Sequence, residues 1–387
     1  MIAYNETWLA NIRVQNILKK ELSRGSITKD EFSAFLAKYP VLFYSPAFFV
    51  RIGLFILTCV IVLFADGLLS LVFMSTGLIE ASGWPIFLGL LSYASLEFII
   101  ATKNHFRSGV DDALLFLAAL QLTVGVAILL YGGAENYLAL SIIVFPLCLF
   151  FTIRFSDMLM AAFCCCAFFS TVFFGLEKIG SLGLNVVPFV LMAVSAGAYW
   201  LLLKYKNQAR LVNYANCLVV AQTVCLLTLY AAGNYYIVQT LSDQLNGTSK
   251  PIAFGMIFWA WTMILPLVYL AFGIKNKDAI RLRTCLFLIA AAVLTFRTYY
   301  HLLPVDVMLI LGGAAILAIA YAITKYLKMP RYGFTLEDGD DVDLMDNLRV
   351  ESLIVAQTFS QPTTAHPQEG VKFGGGDFGG GGSSANF

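Results

Sequence analysis

Asp66, Glu97, Gln121, Gln222, Arg297, His301 and Asp306 stand inside long apolar runs, and they are the residues best placed to do chemistry. Ionisable groups within a membrane span are costly and mark ion pathways, proton relays or paired contacts. Glu97 has no basic residue at its own depth, although Lys103 or Arg107 could reach up toward it. Left unpaired, it is expected to keep its proton at neutral pH, because burial disfavours the charged form. A proton-coupled carrier would use such a group. Asp66, Arg297, His301 and Asp306 come out at similar height when each helical residue rises about 1.5 Å. If their helices are neighbours, Arg297 pairs with Asp66 or Asp306. Desolvation offsets much of the attraction in a buried pair, so such a set fits a water-reachable vestibule or a lock on helix register. Gln121 and Gln222 lie near mid-depth and can hydrogen-bond across helices.

Enzymatic chemistry has little to work with. There is no His-Glu-x-x-His, no Gly-x-Ser-x-Gly and no phosphate loop, and the histidines are His105, His301 and His366. The 8 cysteines all fall in expected spans, and no Cys-x-x-Cys occurs. Cys164, Cys165 and Cys166 are consecutive, and consecutive helical residues point about 100° apart. They cannot converge on one metal and read as small apolar side chains. No catalytic residue, no metal and no cofactor is expected.

The elements that hold these residues are spanning helices. Of 387 residues, 59% are hydrophobic and 13% charged, where a soluble domain has roughly 25% charged. The apolar residues come in blocks long enough to cross a bilayer, which takes about 20 residues. The first block, 48–75, follows a Lys- and Arg-rich segment and precedes a loop with neither. It starts too late and runs too long for a cleavable signal, so it is expected to be retained. Spans are expected near 48–74, 84–101, 111–131, 137–153, 157–175, 184–203, 212–232, 252–272, 284–303 and 305–326. The fold class is therefore all-α, a ten-helix bundle over 47–328. A net charge of +1 gives no global basic field for nucleic acid.

Basic residues orient the bundle. With the first end inside and strict alternation, all 25 Lys and Arg except Lys178, Lys250 and Arg297 fall on the inner side. A missed helix would scramble that pattern. The positive-inside rule thus predicts ten spans with both termini in the cytoplasm.

Residues 1–46 read as a helical hairpin on that inner side. Val14, Ile17, Leu18 and Leu22 recur at helical spacing, Gly25 suits a helix end, and Thr28-Lys29-Asp30-Glu31 matches a capping box. A second helix carries Phe32, Phe35 and Leu36 until Pro40. The basic residues of the two helices, Arg13, Lys19, Lys20, Arg24, Lys29 and Lys38, face anionic lipid or a protein partner. The outer segment 233–251 reads as a loop, with a glycosylation sequon by pattern at Asn246-Gly247-Thr248. Pro146 and Pro266 could break the fourth and eighth spans, and no internal repeat stands out. After residue 328 the chain turns acidic, with Asp340, Asp341, Asp343 and Asp346, and then Gly-rich. That composition reads as a flexible cytoplasmic tether.

The run Leu22-Ser23-Arg24-Gly25-Ser26-Ile27-Thr28-Lys29-Asp30-Glu31-Phe32, placed just before the first span, resembles the bacterial membrane proteins of the domain of unknown function 2157 family. The likeness covers residues 10–70. It implies a bacterial inner-membrane protein and brings no activity or site residues. The function expected from all of this is a non-enzymatic integral membrane protein, a scaffold or sensor acting through its termini on a cytoplasmic partner. The alternative is a secondary, proton-coupled transporter of a small solute.

Overall fold

The computed structural model describes residues 2–23, 25–78, 81–130, 136–246, 252, 254–276 and 278–299, with scattered positions between 307 and 325. Among the described residues the chain is helical. In order it forms α1 (Glu6–Ser23), α2 (Lys29–Lys38), α3 (Phe48–Phe73), α4 (Gly83–Lys103), α5 (Val110–Leu130) and α6 (Tyr137–Phe155). Then come α7 (Met158–Glu177), α8 (Ser181–Tyr205), α9 (Ala215–Gly233), α10 (Tyr235–Asn246), α11 (Gly255–Lys275) and α12 (Ala279–Tyr299). An isolated parallel bridge joins Tyr44 to His105.

Of these helices, 8 are long and apolar enough to cross a membrane: α3 to α9 and α11. They coincide with the first eight expected spans. Where the ninth is expected lies α12, which is not among those 8 and starts five residues early because Asp278 caps it. The Asp278 Oδ1 accepts the Ile280 and Arg281 N–H groups at 3.0 and 3.3 Å. The tenth expected span and residues 329–387 lie almost wholly outside the described residues.

The expected hairpin at the N-terminus is present. Gly25 turns the chain at φ +76°. The Thr28 hydroxyl accepts the Glu31 N–H at 3.3 Å, and the Glu31 carboxylate accepts the Thr28 N–H at 2.8 Å. These two bonds satisfy donors that a helix start leaves orphaned.

Two expectations need correction. The segment 233–251 is not all loop: α10 occupies 12 residues of it. Asn234 starts it by accepting the Ile237 N–H at 3.2 Å, and Val238 faces inward. At 12 residues α10 is far short of a membrane span, and span length was the signal that marked the other helices. Pro146 and Pro266 do not break their helices, since α6 and α11 run through them. Neighbouring helices can re-satisfy the carbonyls that a proline frees.

The helices pair as hairpins, α4 with α5, α6 with α7, α8 with α9 and α11 with α12, and these pairs join through α5/α6, α7/α9 and α9/α12. Small residues set the closest approach, as expected where lipid is as apolar as the helices. A Cβ on Gly89 would lie 2.8 Å from the Leu122 side chain, and Ala113, Ala118 and Ala119 are buried beside it.

The exception is α3, which rests on α5 yet has no buried residue. Polar contacts hold it instead. Arg51 donates to Asp112 at 2.7 Å, and Trp84 Nε1 donates to the Ser70 hydroxyl at 3.1 Å. Backbone meets backbone at Gly109, where φ is +93° and a Cβ would run into the Arg51 carbonyl oxygen. Gly109→Ala meets both a left-handed backbone and a steric wall, so it should lower stability by about 2 kcal/mol or more. Thermal unfolding of the detergent-solubilised protein measures this, and an unchanged midpoint would contradict the close approach.

Candidate functional site

Two polar systems are built into the bundle. The first lies within the spans. Asp66 on α3 accepts the Gln121 Nε2–H at 2.6 Å, and Gln121 Oε1 accepts the Ser92 hydroxyl at 3.0 Å. One amide thereby ties α3, α4 and α5 together. Gln222 on α9 is buried, and no hydrogen bond to its side chain is found among the described residues.

Glu97 is not the lone carboxyl that its sequence context suggests. Arg154 grips it with two bonds, Nε to Oε1 at 2.7 Å and Nη2 to Oε2 at 2.8 Å, and the Tyr93 hydroxyl adds a third at 2.8 Å. The reason is a helix boundary. Arg154 looked like part of a three-residue break between spans, but α6 continues to Phe155. The arginine therefore belongs to the last turn and reaches across to α4. Both oxygens of the carboxylate are taken up by this fork, so Glu97 is not the unpartnered carboxyl that the proton-carrier reading started from.

Asp66 and Arg297 are not brought together. Asp66 sits on α3 against α5, whereas Arg297 is near the end of α12, which packs on α9 and α11. His301 and Asp306 lie outside the described residues.

The second system closes the end of the bundle where α1 and α2 sit. Its hub is Asp111, 2% exposed in the first turn of α5. Oδ2 accepts the Arg107 N–H at 2.7 Å, and Oδ1 accepts the Ser108 N–H at 2.8 Å and the Ser108 hydroxyl at 2.9 Å. The Tyr4 hydroxyl reaches Oδ2 at 3.4 Å. Asp112, beside it, binds Arg51 of α3. Asp157 caps α7, accepting the Met160 N–H at 2.8 Å. Tyr4, Arg107, Asp111, Asp112 and Asp157 line a narrow cleft between the helix ends.

Burial governs the titration here. It pushes the Asp157 carboxyl above the usual carboxylate range, against the pull of the α7 N–H groups and of Arg107 and Arg51. It likewise lowers His105, although Asp111 opposes this, and raises the Tyr4 phenol well above its ordinary value. His105 Nδ1 meets the Ser108 hydroxyl at 2.7 Å. This is not a nucleophile triad, because the aspartate backs the serine rather than the histidine, and Ser108 is fully buried. Among the described residues no three His, Cys, Asp or Glu side chains are set to hold a metal ion. Cys164 is buried, Cys165 half-buried and Cys166 exposed, so the three diverge around α7.

Sequence reasoning passed over this second system. Its signals were the acidic pair Asp111-Asp112 at a span start, where the helix dipole favours negative charge, and Asp157 immediately before an apolar run, the position of an N-cap.

Together these features define the class: a multi-pass α-helical membrane protein, locked by charge at the end that carries its N-terminal hairpin. No protein-family model, curated protein or solved structure matches the chain.

Glu97→Gln and Arg154→Gln should each lower the unfolding midpoint, and the double variant should lose less than the sum. A coupling of about 1 kcal/mol in a double-mutant cycle is expected; strict additivity would mean that the pair is not formed. For Asp157 the folded carboxyl titrates higher than the unfolded one. Its stabilising contribution is present below the unfolded value and lost as pH rises through the folded value. Asp157→Asn keeps the cap and removes the buried charge. The variant should unfold a few degrees higher near neutral pH, with the gain shrinking as pH falls through the raised folded value toward the ordinary carboxylate value.

Proposed function

We propose that this protein is a scaffold or sensor of the bacterial inner membrane, not an enzyme, that crosses the bilayer ten times and works through two cytoplasmic ends. The distribution of Lys and Arg supports that orientation, and the likeness of residues 10–70 to the domain of unknown function 2157 family supports the membrane. The observation that carries the functional reading is the seating of the N-terminal segment. Ala3 N–H donates to the Arg154 carbonyl at 2.7 Å, and Tyr4 and Leu9 are buried in one core with Leu96, Leu115, Phe151 and Phe155. Hairpin and bundle are thus one packed unit, so a change in either is transmitted to the other. The far part of the hairpin stays open to a protein partner: Ile17 is 62% exposed, and α2 has no buried residue.

The transporter reading keeps one supporting observation. Asp66, hydrogen-bonded to Gln121 deep in the spans, has no basic partner among the described residues. It loses Glu97, which Arg154 occupies.

Complementation of a chromosomal deletion tests the choice. Wild type should restore the phenotype. Lys19→Glu with Lys20→Glu, or removal of residues 335–387, should fail at equal membrane abundance. Full rescue by both variants, or solute flux into proteoliposomes that Asp66→Asn abolishes, would overturn the sensor reading. Reporter fusions should place residue 240 outside the cytoplasm.

A further inference from the structure

The seat of the N-terminal segment is unusual in being a single residue that does two jobs. Arg154 lies in the last turn of α6, whose carbonyls lack helical partners. Its carbonyl accepts the Ala3 N–H, while its guanidinium grips Glu97 of α4. One side of the residue holds the segment and the other holds a charge within the spans. The rest of the seat is aromatic. The Tyr4 ring meets Phe106 edge-on at 4.9 Å and Phe43 at 6.1 Å, and Trp8 meets Phe43 at 5.1 Å. The 40–47 linker is pinned over the same place, since Tyr44 N–H donates to Asn104 and the Tyr44 carbonyl accepts the Phe106 N–H. Cys217 on α9, 4% exposed, adjoins the cleft that Tyr4 lines, with its thiol 3.4 Å from the Asp157 carbonyl and 3.8 Å from the Ser156 hydroxyl.

We propose that residues 2–9 form a plug seated on Arg154, and that unseating the plug and opening the Glu97–Arg154 pair are one coupled event. The proposal rests on the sensor reading and supplies its moving part. A shift of α4 against α6 that strains the ion pair tilts the last turn of α6 and misplaces the carbonyl holding Ala3. In the reverse direction, pulling the hairpin away removes that bond and the Tyr4–Asp111 contact. Arg154 is then freed to leave Glu97, and the plug uncovers Asp111, Asp157 and Cys217. Released, residues 4, 8 and 9 present an apolar patch of Tyr, Trp and Leu, of which the closed state buries Tyr4 and Leu9 and half-covers Trp8.

Full-length protein in detergent micelles allows the test, with N-ethylmaleimide as probe and peptide mass spectrometry to assign the modified thiol. Tyr4→Ala should speed alkylation of Cys217 on the order of tenfold, as expected for a local opening. Cys285, fully buried in the α9/α11/α12 core, should keep its rate. Glu97→Gln, well away from the thiol, should also speed Cys217 and raise amide exchange over residues 3–9. An unchanged Cys217 rate in Tyr4→Ala, or unchanged exchange over residues 3–9 in Glu97→Gln, overturns the plug. Should Tyr4→Ala quicken Cys285 as well, Ala3→Pro decides, since it deletes the N–H that Arg154 accepts and leaves the Tyr4 ring in place. Selective reaction at Cys217 then supports the plug, and a parallel rise at Cys285 overturns it. The plug stands or falls on these rates whatever complementation shows, and the sensor reading stands or falls on complementation whatever the rates show.

Discussion

Apolar side chains in a bilayer gain little by touching one another instead of lipid, so helix pairing is left to close backbone approach and to polar contacts. In this protein the second of these does most at α3. That helix buries none of its side chains, and it is fixed by the Arg51–Asp112 pair at one end and by Asp66–Gln121 further along. Two bonds about two helical turns apart or more fix both register and rotation, which a smooth apolar face would leave free. The rest of the first half follows from this. Gln121 passes the tie to Ser92 on α4, and α4 passes it through Glu97 to Arg154 on α6.

The end of the bundle carrying the hairpin concentrates negative charge that its neighbours must offset. Asp111, Asp112 and Asp157 are near neighbours, and mutual repulsion would expel one were it not for their partners. Backbone N–H groups and Ser108 absorb Asp111, Arg51 absorbs Asp112, and the α7 N-terminus absorbs Asp157. Each carboxylate has its own donors, so no shared ion is required. The helix starts contribute the most general part, because their orphan N–H groups and dipole favour anions. Sealing this end with Tyr4, Phe43, Phe106 and Phe155 keeps water from competing for those bonds, which strengthens them.

The two halves differ in what holds them. The core joining α9, α11 and α12 uses Leu226, Leu265, Cys285 and Leu288 with neutral hydrogen bonds, such as Tyr269 to the Leu226 carbonyl at 3.2 Å and Asn234 to Thr295 at 3.1 Å. Neutral bonds fix geometry without storing charge. Charge enters this half at its edge, where Arg281 donates to the Tyr199 hydroxyl at 2.7 Å and pairs with Asp278 at 3.3 Å.

Length and apolar content by themselves determined that the chain is helical and crosses a membrane several times, since a bilayer admits no other use for such runs. Local chemistry was equally legible: the Thr28–Glu31 capping box needs only residues three apart in the chain, and it formed as written. Partners across helices were not legible. Glu97 and Arg154 are 57 residues apart, and Asp66 finds Gln121 rather than Arg297. Depth along a helix can be counted from the sequence, but which helix stands beside which, and how each is rotated, cannot. Many bundles satisfy the same hydropathy, and only tertiary packing selects the one in which these polar groups meet.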